Sequence, residues 1–193
     1  MGSVKTKIIF SVLIVSLLLI PIVSVAEEKK EEEMRLQVFL TKEQALALAF
    51  PGADKIETEK KWLTPEQMAE VARLSDQPAS ENRITYYIGM KGGKPMGYLV
   101  MDHVIGKSYP INFMVLLSPD GKVQNVEIMV YREPQGWEVR FKSFLQQFFG
   151  KDASSDFKDV NSITGATISV RSVTRGVRKA VVAYKVLYLN QTP

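Results

Sequence analysis

Hydrophobic and polar positions along this chain change their period several times, and each change marks a different kind of element. After Lys5 and Lys7, the stretch from Ile8 to Leu19 is almost continuously apolar; Pro21 interrupts it, and Ser24-Val25-Ala26 places small residues before a cut site. This pattern predicts an export signal over residues 1–26. The alternative is an uncleaved membrane anchor, since Ile8 to Ala26 is close to the length that spans a bilayer. Either outcome puts the rest of the chain outside the cytoplasm. Glu27 to Glu33 is a run of charge, read as part of a solvated linker over residues 27–34.

Residues 35–82 are read as an N-terminal helical extension. Leu36 to Leu40 has the make-up of a short strand. Thr41 followed by Gln44 is a capping box for a helix from Lys42 to Phe50, which Pro51-Gly52 ends. Thr64, Pro65 and Gln67 start a second helix that runs to about Leu74. From Arg83 the period becomes that of strands. Ile84 to Met90 and Met96 to Val104 flank Gly92-Gly93 as a hairpin, and Ile111 to Leu117 and Val123 to Tyr131 flank Pro119-Asp120-Gly121. A helical stripe of Phe141, Phe144, Leu145 and Phe148 follows, giving a helix over about Val139 to Phe149. The last long helix is announced by Val170, Val173, Val177, Val181, Tyr184 and Tyr188 on one face, with Arg171, Arg175, Arg178 and Lys179 on the other. Strands in hairpin series with helices before and after them define an α+β fold. It has an antiparallel sheet packed by helices and a helix at the C-terminal end.

Composition narrows the chemistry. The 193 residues contain no cysteine, which excludes disulfides, thiolate nucleophiles, cysteine-ligated iron–sulfur clusters and thioether-bound haem. One histidine, His103, is too few for a histidine-rich metal site, and a lone strand histidine reads as structural. The net charge of +4 is modest and no basic stripe alternates with aromatics, so a nucleic-acid partner is not expected. Redox chemistry in such a chain would fall to an organic cofactor.

The start of the last helix, Asn161-Ser162-Ile163-Thr164-Gly165-Ala166-Thr167-Ile168-Ser169, sets small residues between hydroxyls. Read from the residues alone, this is either an ordinary capped helix or a place where exposed N–H groups receive a phosphate and small residues admit a bulky ligand. Thr164-Gly165-Ala166-Thr167 resembles the flavin-attachment motif of the FMN-binding domain family, Asp-x-x-(Ser/Thr)-Gly-Ala-Thr. That family includes the C subunit of the sodium-translocating NADH:quinone reductase and the G subunit of the Rnf complex. Asn161 stands where the family has Asp, with Asp159 two residues upstream. Glu133-Pro134-Gln135-Gly136-Trp137, between a strand and the Phe-rich segment, is similar to a Glu-Thr-Pro-Gly-like turn of the same family. By composition alone that turn simply reverses the chain, with Trp137 in the core. Gly106-Lys107 and Pro110-Ile111 also resemble the run leading into the family's first core strand.

The resemblance implies an FMN-binding domain over residues 83–190, with FMN covalently joined to Thr167 through a phosphoester bond installed by a flavin transferase. It further implies Thr164, Gly165, Ala166 and Ser169 around the phosphate, Glu133 and Gly136 beside the flavin, and Trp137 as a wall for the ring. The protein it describes is an exported electron carrier rather than a free-standing enzyme, with no catalytic acid–base residue. Its partners are membrane or extracytoplasmic redox proteins, such as quinone-linked complexes or cytochromes. The alternative is an unflavinylated binding or sensory module of the same fold.

Overall fold

Local cap chemistry sets the first two helices. The side chains of Thr41 and Thr64 accept hydrogen bonds from the backbone N–H of Gln44 and Gln67, whose own side chains accept from the threonine N–H groups. Both helices therefore start where a capping box satisfies two otherwise unpaired donors. The computed structural model describes residues 36–78 and 81–190. The expected export signal, the linker and Arg35 lie outside the described residues.

In chain order the elements are β1 (Gln37–Val38), α1 (Lys42–Ala49), β2 (Lys55–Trp62), α2 (Pro65–Ser75), β3 (Arg83–Lys91), β4 (Lys94–Ile105), β5 (Pro110–Leu117) and β6 (Val123–Tyr131). Short turns follow, with α3 (Lys142–Leu145) among them, and then α4 (Thr167–Tyr184). From Gln37 onward the chain forms one compact unit. Its six strands make a single antiparallel sheet in the order β1-β6-β5-β4-β3-β2. The α+β reading therefore holds. The hairpin from β3 to β4 turns at Gly92 and Gly93, both with positive φ (57° and 76°), a region that glycine enters without a Cβ penalty.

The sheet is covered on both faces. Tyr86, Val100, Phe113, Val115, Val126 and Ile128 pack in one core with Val71 of α2 and Val173, Val177 and Val181 of α4. Leu99, Met114, Leu116 and Met129 pack in a second, smaller core with Ala45 and Ala49 of α1 and with Phe50. Central strand β5 thus reads as an apolar run, with every residue from Phe113 to Leu117 buried. Two glycines permit the closest approaches. A Cβ on Gly176 of α4 would lie 2.6 Å from the Phe113 ring, and one on Gly89 of β3 only 2.3 Å from Phe50.

Three features depart from the sequence reading. Between the two expected helices of residues 35–82 runs β2, an edge strand of sequence KIETEKKW whose residues are mostly exposed. Its charged alternation protects the open edge and hides the strand from a search for apolar alternation. The helix expected over Val139 to Phe149 is instead three short turns, Trp137–Arg140, α3 and Gln146–Phe148. Phe141 adopts extended backbone (φ −66°, ψ 139°) and breaks it. Phe144 and Phe148 still meet edge to face in the core at 5.3 Å, whereas Phe141 turns outward. Finally, α4 passes at Tyr184 into a π-helical turn, Lys185–Leu189, so Tyr188 lies beyond the regular helix.

Because Phe50 is buried against Gly89, Gly89→Ala forces the ring out of place without any helical-propensity gain. We expect it to lower unfolding stability by about 1–3 kcal/mol, measured as a lower urea midpoint. An unchanged midpoint would show that the second core yields freely there.

Candidate functional site

The last residues of β6 and the first turn of α4 are brought together by a buried phenol. Tyr131, fully buried at the end of β6, donates its hydroxyl to the Gln135 carbonyl oxygen at 2.6 Å and sits 2.9 Å from Ser169 Oγ. Burial pushes the Tyr131 phenol above its ordinary range, so it stays a donor. Gly136 lies against the same junction with φ 86°; a Cβ there would come within 2.8 Å of the Tyr131 hydroxyl and 2.9 Å of Ser169 Oγ. The turn after β6 can seat on the helix start only because residue 136 has no side chain.

The second tie uses Glu133. This side chain is buried, and its Oε1 accepts the backbone N–H groups of Ser108 at 2.6 Å and Tyr109 at 2.8 Å. The loop it holds is closed at its base by the Gly106 N–H donating to the Tyr109 carbonyl. Gly106 is required by the fit, since a Cβ there would lie 2.7 Å from Glu133 Oε1. Glu133 thus orients the backbone N–H groups of Ser108 and Tyr109.

These ties frame a groove of about 280 Å³ between Lys107, the Glu133–Gln135 turn and the residues from Gly165 to Ser169. Its floor is the start of α4, where Ala166 is the capping residue and no side chain caps the free N–H groups. Gly165 precedes it with φ 84°. Thr167 is exposed at the first helical position, so its hydroxyl is open to chemistry. An uncapped helix start carries partial positive charge and unpaired donors, which suit a phosphate group. The residues present fit FMN in that respect: small Gly165 and Ala166, an exposed Thr167, and a lysine among the lining residues.

The predicted residues are placed as follows. Thr167, Gly165, Ala166, Ser169 and Glu133 all line the groove. The Ser169 hydroxyl is engaged by Tyr131, so it serves as a strut beneath the groove. Thr164 is exposed just before the groove and does not cap α4; Gly136 packs behind the helix start. Trp137 is neither in the core nor among the residues lining the groove. It is 40% exposed and meets Phe141 edge on at 5.2 Å. Asn161 donates its backbone N–H to Gln147, and Asp159 is held by Lys151 at 2.6 Å. Tyr131 and Lys107 were missed as site residues. Tyr131 has no signal beyond its place at a strand end, whereas Lys107 sat in a segment already singled out by resemblance. His103 is exposed and does not line this groove; among the described residues no cluster of acidic or histidine side chains could hold a metal.

Comparisons with known proteins fall on the same segment. Residues 106–182 match the family model described as FMN-binding domain, so the groove-forming part of the chain carries that family's pattern. The G subunit of a proton-translocating ferredoxin:NAD(+) oxidoreductase complex from Clostridium ljungdahlii is 34% identical over 106 residues, covering 50% of this chain and 57% of that protein. The G subunit of a Na(+)-translocating ferredoxin:NAD(+) oxidoreductase complex from Acetobacterium woodii is 25% identical over 118 residues, covering 54% and 57%. The chain thus spans little more than half the length of these relatives. Among solved structures, the C subunit of the Na(+)-translocating NADH-quinone reductase from Parabacteroides distasonis superposes with a TM-score of 0.52 at 14% identity, covering 88% of this chain and 98% of that one. NqrC from Shewanella oneidensis gives 0.50 at 15% identity, covering 70% and 83%. At these identities the structural likeness is one of fold.

Removing the Tyr131 hydroxyl leaves the Gln135 carbonyl and Ser169 without their partner. Tyr131→Phe is expected to cost about 1–3 kcal/mol of stability and to speed amide exchange at Val170, whose N–H donates to the Ala166 carbonyl at the start of α4. Unaltered exchange there would show that the phenol does not hold the helix start.

Proposed function

We propose that this protein is an electron-transfer flavoprotein carrying FMN esterified to Thr167, and that it serves as a redox component or carrier beside a membrane complex of the Rnf or Nqr kind. The observation that carries this reading is the exposed Thr167 hydroxyl at an uncapped helix start, inside a segment matching an FMN-binding domain. The names of the relatives support a membrane redox complex as partner.

When bound, the flavin supplies the electron chemistry. The chain supplies attachment, orientation and charge. Thr167 provides the oxygen that joins phosphorus. The N–H groups of the first helical turn would hold the negative charge of a bound phosphate, which the helix dipole would favour there. Gly165 and Ala166 leave room for the approach, Gly136 lets the neighbouring turn close against the helix, and Glu133 holds the loop that carries Lys107.

The export signal read from the sequence supports an extracytoplasmic location for this domain. A flavin transferase acting there would be the partner that loads Thr167. A covalent bond keeps the cofactor where free FMN could not be replaced.

A second reading, a binding or sensory module of the same fold without flavin, draws on Asn161. The family's motif begins with an acid, and here the nearest one, Asp159, is already paired with Lys151. One measurement separates the two readings. Exported protein co-produced with an active flavin transferase should gain the mass of FMN less one water after denaturation, and Thr167→Ala should lack that gain while remaining folded. An unmodified mass for the wild-type chain favours the module. The same spectrum reads the mature N-terminus, and a chain retaining residues 1–26 would replace cleavage with an anchor.

A further inference from the structure

We infer that Lys107 is the residue that makes this groove prefer a phosphorylated flavin to the free riboflavin core, and that Glu133 acts through it as a positioning residue. The inference rests on the FMN reading of the groove.

Lys107 is exposed and lines the same groove as Thr167 and Ile168. Among the described residues it enters none of the ion pairs, in contrast with Lys151 and Lys179, which are bound to Asp159 and Asp102. A surface lysine is ordinarily too mobile to confer specificity, because ordering its stem costs rotamer entropy. Here the backbone that carries it is fixed from two sides. The Gly106 N–H to Tyr109 carbonyl bond closes the loop around Lys107 and Ser108, and Glu133 Oε1 takes the two N–H groups that follow Lys107. Bonds from N–H groups to a carboxylate are the stronger kind. A Cβ at Gly106 would lie 2.7 Å from Glu133 Oε1, so the loop base needs glycine there.

The side chains at hand also divide the labour by charge. Among the described residues the one carboxylate lining the groove, that of Glu133, has Oε1 turned to backbone donors, whereas the ammonium of Lys107 has no such partner. A phosphate dianion or diester seated at the start of α4 would meet both the helix donors and Lys107. Riboflavin, with the same ring but no phosphate, would lose both.

The test uses the full chain with Thr167→Ala, so that binding is non-covalent, titrated with FMN and with riboflavin by flavin fluorescence. FMN should bind more tightly than riboflavin, with Lys107 supplying about tenfold of the margin, that of one charge-assisted contact, beyond what the helix donors give. Adding Lys107→Gln should remove that tenfold by weakening FMN alone, and Lys107→Arg should keep it. The margin should shrink in high salt, as expected for a solvent-facing charge. Glu133→Gln should also narrow the margin, and should speed amide exchange at Ser108 and Tyr109, which Lys107→Gln leaves unchanged. Equal affinity for the two flavins, no binding of either, or a margin that Lys107→Gln leaves undiminished overturns the inference. Loading of Thr167 is read separately by mass, so an unloaded wild-type chain defeats covalent attachment without deciding the phosphate preference.

Discussion

The hydroxyl of Tyr131 is the point on which the candidate site depends. It is a single buried donor at the end of β6, and it reaches the carbonyl of the turn that follows and the hydroxyl in the first turn of α4. Strand and helix are distant in sequence, and a polar contact of fixed direction helps set their angles as well as their separation. Apolar packing alone would bring α4 onto the sheet, but it is non-directional and leaves the helix start free to shift along its axis. The side-chain-free position nearby, Gly136, follows from the same contact, because the Tyr131 and Ser169 oxygens occupy the space a Cβ would need.

The rest of the architecture keeps that junction in place. Helix α4 lies against the sheet through Val173, Val177 and Val181, and Gly176 lets its backbone approach the buried ring of Phe113. On the opposite face, α1 and Phe50 cover Leu99, Met114 and Met129, so the central strands are shielded on both sides. A sheet buried on both faces resists bending, and a groove built at its end inherits that rigidity. At the far end of α4 and just beyond it, Tyr184 and Tyr188 stack at 4.8 Å, and both pack edge on or tilted against Tyr98. That cluster anchors the C-terminal end of the helix as Tyr131 anchors its start.

Much of this was legible in the residues because the relevant signals are local. The two capping boxes depend only on side chains three residues apart, and both form as read. The hairpins depend on Gly92-Gly93 and Pro119-Asp120-Gly121 between apolar-rich runs, and the strands fall on those runs. The strand β2 was not legible, because an edge strand facing solvent needs charge more than alternation. The break at Phe141 was hidden for a related reason: an aromatic stripe reports which residues want burial, but not whether one continuous helix can bury them all. Helix-opening hydroxyls were visible, yet the assignment of Thr164 and Ser169 to the phosphate missed that Ser169 is already bonded to Tyr131, a partner 38 residues away. Long-range polar contacts leave no period in a sequence.

The distribution of polar groups at the groove separates those that support the framework from those left available to a ligand. A centre that moves protons keeps an acid or base unpaired and aimed at its substrate. Here Tyr131 is committed to the Gln135 carbonyl and Ser169, and Glu133 to two backbone N–H groups, so their hydrogen-bonding capacity supports the framework. What the groove leaves available is a primary set of donors: the N–H groups at the start of α4 and the ammonium of Lys107, with the Thr167 hydroxyl between them. Donors and positive charge around one nucleophilic hydroxyl are the complement of a phosphate ester. Such a set is suited to holding an anion at the start of α4.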